Sequence, residues 1–150
     1  MKKQFALAVL AAAVATAYAG PFDAFKGKMK EGMYEYKMDM DMGQMPGMPP
    51  GMGKQSHTFQ HCVTKKDIEE GGFGKNQKQQ QEKCQIKNMD MKGNTATYTM
   101  ECTDPQMKAD NKITFTDNGF NMDMKMQMNQ RGQMMNMSQH MEGRYIGACK

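Results

Sequence analysis

The chain has 150 residues, 21 of them methionine, and a net charge of +4 at pH 7. This small charge is spread along the sequence, which argues against nucleic acid or an acidic membrane as the partner. Leucine occurs only at Leu7 and Leu10, so methionine replaces the usual aliphatic side chains in the part expected to fold. Burial costs methionine about 1.5–2 kcal/mol of side-chain entropy against about 0.5–1 for leucine, so such a core is soft.

The N-terminus predicts a signal peptide at residues 1–19. Two lysines precede an apolar run from Phe5 to Ala15, and Ala17-Tyr18-Ala19 is typical of a cleavage site. The run is shorter than the ~20 residues that a membrane span needs, and Gly20 rather than cysteine follows the motif. We expect a periplasmic or secreted protein with no stable membrane anchor, in which residues 20–150 form a single antiparallel β domain.

Alternation of apolar and polar residues predicts β-strands along the exported part. In residues 31–42, tyrosines and methionines occupy one face and charged residues the other. The same alternation occurs in residues 57–63, 82–91, 95–102, 112–117, 120–128 and 133–141. Thr64 and Asp67 form a capping box, which predicts one short helix. The fold class is all-β: an antiparallel, strongly curved sheet or open barrel of about seven strands.

Two-residue turns predict how neighbouring strands are aligned. A turn at Asn118-Gly119 places Ile113 opposite Met124 and Phe115 opposite Met122. If Arg131-Gly132 forms the next turn, one sheet face carries a ladder of methionine pairs: Met122–Met141, Met126–Met137 and Met128–Met135.

Four cysteines lie outside the signal peptide: Cys62, Cys84, Cys102 and Cys149. An even number in a small exported chain predicts two disulfides. In the hairpin around Gly93-Asn94, Cys84 and Ile86 are one residue out of phase with Met89 and Met91. A β-bulge near Lys87-Asn88 would account for this, because it lets two residues oppose one. Pairing beyond that bulge places Cys84 opposite Cys102, which predicts the disulfide Cys84–Cys102 and, by elimination, Cys62–Cys149.

Several segments together resemble a known bacterial family. They are the strand GMYEYKMDMDM, the loop MGQMPGMPPGM, the segment QSHTFQHCVTKKD, the hairpin GNTATYTMEC and the terminal GRYIGAC. In this order they resemble the family named domain of unknown function 3617, over nearly all of the exported part. The resemblance implies an exported small domain and supplies no activity or catalytic residues.

The methionines of the loop are candidate metal ligands, because soft thioethers select Cu(I). A core does not require methionine among prolines, where no regular strand forms. His57 lies on one strand face with His61, but roughly 13 Å away, so the two cannot chelate one ion together. Core filling by the strand methionines and an apolar flap formed by the loop are the alternative interpretations. The candidate metal ligands are Met38, Met40, Met42, Met45, Met48, Met52 and His57.

Enzymatic activity is not expected, because the sequence has no nucleophile elbow, no H-E-x-x-H and no phosphate loop. The alternative to metal is an apolar small molecule, a lipid or a partner protein held on a β concavity. Its candidate residues are Tyr34, Tyr36, Tyr98, Phe115, Met122, Met124 and Met126. Met134 is predicted to point outward, where it could react with oxidants. We expect a monomeric binding protein whose ligand is a soft metal ion or an apolar molecule.

Overall fold

The computed structural model describes residues 25–43, 49, 53–69, 83–130 and 132–150. The strands and the helix found there are β1 (Gly32–Asp41), β2 (Lys54–Val63), α1 (Lys65–Glu69), β3 (Cys84–Lys92), β4 (Thr95–Thr103), β5 (Gln106–Thr116), β6 (Gly119–Gln130) and β7 (Gln133–Gly147). These seven described strands form one antiparallel sheet in the order β2-β1-β7-β6-β5-β4-β3. The all-β prediction is confirmed, and β2 and β3 are the two open edges of the described sheet. The predicted signal peptide lies outside the described residues.

Apart from β2, the described strands present mainly apolar residues on one face of the sheet and polar residues on the other. On the polar face, opposite charges often lie directly across from each other: Glu35 opposite Arg144, Lys112 opposite Asp123 and Asp110 opposite Lys125. The Arg144 guanidinium donates a hydrogen bond to the Glu35 carboxylate, with 2.8 Å between nitrogen and oxygen. Because a shift of one residue would send every side chain to the other face, these pairs and the apolar pattern specify the same register.

Aromatic side chains form the most deeply buried part of the apolar face. Tyr36 packs edge-on against Phe120, with ring centroids 6.0 Å apart. Phe25, which precedes β1, covers Phe115 and Tyr98 at 5.4 and 6.5 Å. We call this region the aromatic end; its buried members are Phe25, Tyr34, Tyr36, Tyr98, Phe115 and Phe120.

The short helix begins at the predicted capping box. The backbone N–H of Thr64 donates to the Asp67 carboxylate at 2.9 Å, and the N–H of Asp67 donates to the Thr64 hydroxyl at 3.2 Å. This reciprocal pair satisfies two of the donors that a helix leaves free at its start. It holds α1 so that Ile68 is buried in the core at the aromatic end. This helix is neither long enough nor apolar enough to cross a membrane, and the described residues contain no other candidate.

Both predicted disulfides are confirmed. Cys84 pairs with Cys102 across β3 and β4, and Cys62 on β2 pairs with Cys149 near the C-terminus. The register shifts between Lys87 and Asp90, where the bulge was expected, and Cys84 therefore lies opposite Cys102. Two disulfides in a chain of this size indicate a location outside the cytoplasm.

The predicted turn at Asn118-Gly119 is wrong by one position. The turn is formed by Asp117 and Asn118, so Ile113 lies opposite Met122 and not Met124, and Phe115 lies opposite Phe120. Gly119 is already part of β6, where a Cβ atom would overlap the carbonyl oxygen of Gly143 on β7. The glycine therefore permits close strand approach and is not a turn residue. The pairing shifts by two residues, which keeps each side chain on its expected face.

The pairing of β6 with β7 gives the expected methionine pairs, while Arg131 of the predicted turn lies outside the described residues. Met122 lies opposite Met141, Met126 opposite Met137 and Met128 opposite Met135. Both neighbouring strands are longer than predicted: β5 begins at Gln106 and β7 continues to Gly147. The extra residues of β7 pair with β1, and this long-range pairing joins the two halves of the sheet.

Candidate functional site

The apolar face has a second region, composed mainly of methionine. Its members are all half-buried. They lie at the end of the strands that is opposite to the aromatic rings. We call it the methionine end: Met40, Met42, Met100, Met107, Met126, Met128, Met135 and Met137. A fully packed core would bury these side chains as it buries the aromatic rings, whereas these methionines remain partly accessible.

Cross-strand pairing brings the thioethers of the methionine end together. Met126 lies opposite Met137, and Met128 lies opposite both Met135 and Met107. Directly opposed residues have Cβ atoms about 4.5–5.5 Å apart, and successive rows on one face are about 6–7 Å apart. Methionine has three rotatable bonds, so several of these sulfurs can turn toward one point.

The end of β1 leads directly into this region. Asp41 lies opposite Ser138, and a Cβ atom on Gly43 would lie 2.8 Å from the carbonyl oxygen of Asn136, so Met42 lies beside Met137. The N–H of Met42 donates to the carbonyl of Gly53 at 2.9 Å, which closes the hairpin at its base. Met42, Met137 and Met126 therefore occupy one row across β1, β7 and β6. The loop that carries Met45, Met48 and Met52 starts at this row, but those three methionines lie outside the described residues.

The other predicted metal ligands lie further along β1 and β2. Met38 lies opposite both Met141 and His57. His57 is exposed, and its Nε2 lies 3.4 Å from the side-chain oxygen of Gln55. The structure thus brings Met38 and His57 together, whereas Met40 and Met42 lie toward the methionine end.

The residues considered for an apolar ligand divide between core and surface. Tyr34, Tyr36, Tyr98, Phe115 and Met122 are buried in the hydrophobic core. Burial raises the pKa of both Tyr36 and Tyr98 to about 12, so their hydroxyls stay neutral near pH 7. Met124 and Met126 are half-buried. A molecule approaching the described surface would therefore meet these two methionines and not the aromatic rings.

Sequence reasoning did not name five members of the methionine end as site residues: Met100, Met107, Met128, Met135 and Met137. Met107 and Met100 join it because β5 extends back to Gln106, which places Met107 opposite Met128. Met100 belongs to the neighbouring row, where it lies opposite Ala109 on β5. The alternation Met107, Ala109, Asn111 and Ile113 is visible in the sequence and could have predicted the longer strand.

The polar face carries a groove of about 1070 Å³ that crosses the strands. Its sides are formed by two rows of polar residues, one containing Asp39, His140 and Asp123 and the other Asp41, Lys125 and Asp110. His140 Nδ1 lies 2.7 Å from Asp123, and this hydrogen bond is the main cause that raises the pKa of His140. Among the described residues, no three His, Cys, Asp or Glu side chains are placed to hold one metal ion.

Residues 29–149 match the family described as "Protein of unknown function (DUF3617)". The match covers most of the chain, and the protein belongs to this family. No curated protein and no solved structure matches the chain.

Proposed function

We propose that this member of the DUF3617 family is an exported, non-catalytic binding protein that holds Cu(I) with thioether sulfurs at the methionine end. The loop methionines Met45, Met48 and Met52 would complete the site, and Met38, Met40 and His57 would flank it. The observation that carries the proposal is the row formed by Met42, Met137 and Met126 at the point where the Met-rich loop begins. Met42, the first methionine of the loop motif, thus lies beside methionines of the sheet.

The chemistry of the donors favours a soft, singly charged ion. Thioether sulfur is a neutral, polarizable ligand, and among biological metals it selects Cu(I). A core could be built from leucine at lower entropic cost, so accessible methionines at this position are better explained by their sulfur. The export predicted from residues 1–19 would deliver the protein to the periplasm or the medium. The two disulfides are consistent with either destination.

The test is a Cu(I) titration of the disulfide-bonded protein against a competing chromogenic chelator, with oxygen excluded. Two variants remove sulfur from the proposed site: M45L/M48L/M52L in the loop and M126L/M137L in the sheet. The matched control is M122L/M141L, because Met122 and Met141 are an opposed pair on the same two strands but are only 4% and 7% exposed. Leucine has a similar volume, so all three variants should fold.

We expect the native protein and the control to bind Cu(I) with equal affinity. Each site variant should raise the apparent dissociation constant at least about tenfold, which corresponds to about 1.4 kcal/mol. Failure of the native protein to compete with the chelator would refute the proposal. Equal binding by all four proteins would place the metal elsewhere.

A second candidate is the binding of an apolar molecule on the same surface. The half-buried, uncharged side chains of Met124 and Met126 favour it. Leucine preserves apolar area while removing sulfur, so M126L/M137L should retain the uptake of a fluorescent apolar dye even where Cu(I) binding is lost. Dye uptake together with a co-purified lipid in the native protein, and no Cu(I) binding, would favour this candidate.

A further inference from the structure

The two open edges of the described sheet differ in their ability to accept another strand. At β3, the bulge places Asn88 at a φ of 53°, and Lys87, Asp90 and Lys92 supply charges. Bulges and charges are common means of preventing strand addition at an edge. The β2 edge has neither protection: it pairs with β1 over ten residues without a register shift, and Lys54 is its one charged residue.

Most of β2 is accessible on both faces. Every residue from Lys54 to His61 is exposed, including those in phase with the apolar face. Phe59 is 45% exposed, although its ring stacks on Tyr36 at 5.1 Å with an interplanar angle of 10°. A rigid, exposed aromatic ring on an unprotected edge is a favourable centre for association.

The sequence of β2 is nearly symmetric about Phe59. His57 and His61 lie two residues to either side, with Thr58 and Gln60 between them and the ring. A two-fold dimer contact uses the same surface on both copies, so antiparallel pairing about Phe59 aligns the segment with itself. Phe59 then faces Phe59 of the second copy, and His57 lies opposite His61 of the second copy. In this pairing Lys54 lies opposite Thr64 of the second copy, so the two Lys54 side chains do not face each other.

This pairing also gives the two histidines a shared ligand. Within one chain, four residues of strand separate His57 from His61 by roughly 13 Å, which is too far for one ion. Across the paired edge, opposed residues have Cβ atoms about 4.5–5.5 Å apart. Imidazole is a preferred ligand of Zn²⁺ and Cu²⁺. The two-fold axis creates two such His57–His61 pairs in each dimer.

We propose that two copies of the protein pair antiparallel along β2, centred on Phe59, and that the intermolecular His57–His61 pairs bind a divalent ion of the Zn²⁺ or Cu²⁺ class and strengthen the dimer. This replaces the monomer expected from the sequence. It uses neither the thioethers nor the loop and shares only His57 with the proposed Cu(I) site, so it stands whether or not Cu(I) binds at the methionine end.

Sedimentation velocity of the disulfide-bonded protein tests the proposal, over a wide range of concentration, in EDTA and with Zn²⁺ as the probe. Because an ion that binds only the dimer shifts the equilibrium by mass action, Zn²⁺ should tighten dimerisation at least about tenfold. The variant H57Q/H61Q should lose this effect. H140Q should keep it, because His140 lies on the polar face, away from β2.

The centre of the contact is tested with Phe59→Lys, which would place two positive charges directly opposite each other. F59K should be monomeric in Zn²⁺, while F59L, which loses the same stacking on Tyr36 without adding charge, should still dimerise. Far-ultraviolet circular dichroism confirms that each variant is folded. The proposal is overturned if the native protein remains monomeric in Zn²⁺. Zn²⁺-driven dimerisation that survives in H57Q/H61Q or in F59K would also overturn it.

Discussion

The aromatic end and the methionine end share one sheet face, the same alternation and the same strands, yet they differ in burial. The rings of Tyr34, Tyr36 and Phe120 are almost completely covered, whereas all eight residues of the methionine end are half-buried. Phe25 and Ile68 pack against the aromatic end from outside the sheet. The comparison teaches that methionine does not simply replace leucine as the core of this protein. Half of the described core cluster is aromatic and only Met122 and Met141 represent methionine in it, whereas most methionines of the sheet are half-buried.

The largest loss of stability should follow removal of the disulfide beside the aromatic end. Cys62–Cys149 lies beside the aromatic end and spans 87 residues, whereas Cys84–Cys102 lies beside the methionine end and spans 18. Since loop-closure entropy grows with loop length, C62A/C149A should cost about 4.5 kcal/mol and C84A/C102A about 3 kcal/mol of unfolding free energy. Urea denaturation measures both. Equal losses, or the reverse order, would contradict this account.

A large-to-small substitution at the aromatic end should be nearly as damaging. Phe120→Ala removes a ring that is 2% exposed and packs on Tyr36, so we expect a loss of about 3–5 kcal/mol. The matched change is Met137→Ala, which removes a half-buried side chain and should cost clearly less. Urea unfolding with unchanged m-values measures the difference. Similar costs for both would mean that the methionine end is packed as tightly as the core.

Removing sulfur while preserving volume should have little effect on stability at the methionine end. M126L/M137L should change the unfolding free energy by less than about 1.5 kcal/mol. Thermal unfolding in the absence of metal measures this change. With Cu(I) in excess, the native protein should gain stability and the variant should not, because a ligand stabilises only the state that binds it. Identical Cu(I)-induced shifts would argue against a site at these sulfurs.

The smallest expected effect lies on the polar face, at His140. Asp39 and Asp123 lie opposite it on the two neighbouring strands and Glu142 is nearby, so the pKa of His140 is raised above its ordinary 6.5, chiefly by the hydrogen bond to Asp123. A raised folded pKa adds stability that is complete below pH 6.5 and is lost as the pH rises through the folded value. H140Q should therefore have a slightly smaller free energy of unfolding than the native protein at acidic pH and the same free energy of unfolding at alkaline pH.

Nuclear magnetic resonance of the His140 ring gives its pKa directly, and urea unfolding of both proteins across the same pH range gives the stability difference. A pKa at or below 6.5 would contradict the geometry around Asp123. The stability difference is modest because the side chains of His140 and Asp123 are well exposed to solvent.

Much of the fold could be predicted from the sequence because alternation, turn residues and cysteine positions agree with one another. The slip between Ile86 and Met89 was enough to predict the bulge, and the bulge was enough to pair Cys84 with Cys102. The strand ends were less predictable, because the last residues of β7 are held by pairing with β1 and not by their own pattern. The turn near Asn118 was misplaced because a glycine needed for close strand approach resembles a glycine needed for a turn.

The candidate site was only partly predictable. Alternation places Met126 and Met137 on the apolar face just as it places Tyr36 there. The two-residue period does not indicate which of these side chains other segments will bury. Burial depends on the segments that pack across the sheet, such as the one containing Phe25. The meeting of Met42 with Met137 depends on the pairing of β1 with β7, two strands that lie nearly a hundred residues apart in the chain.

The bulge in β3 also determines the face of the sheet on which Cys84 lies. A β-strand has odd and even positions, and the extra residue at Asn88 changes the parity of everything before it relative to β4. If β3 kept all its residues but paired with β4 without a bulge, Met89 and Met91 would stay in place, but Cys84 would lie opposite Thr103 and on the other face of the sheet from Cys102. The disulfide would then be replaced by two separate thiols, one on each side of the sheet. The bulge, and not the length of the strand by itself, therefore determines whether Cys84 and Cys102 form a cystine or remain two separate thiols.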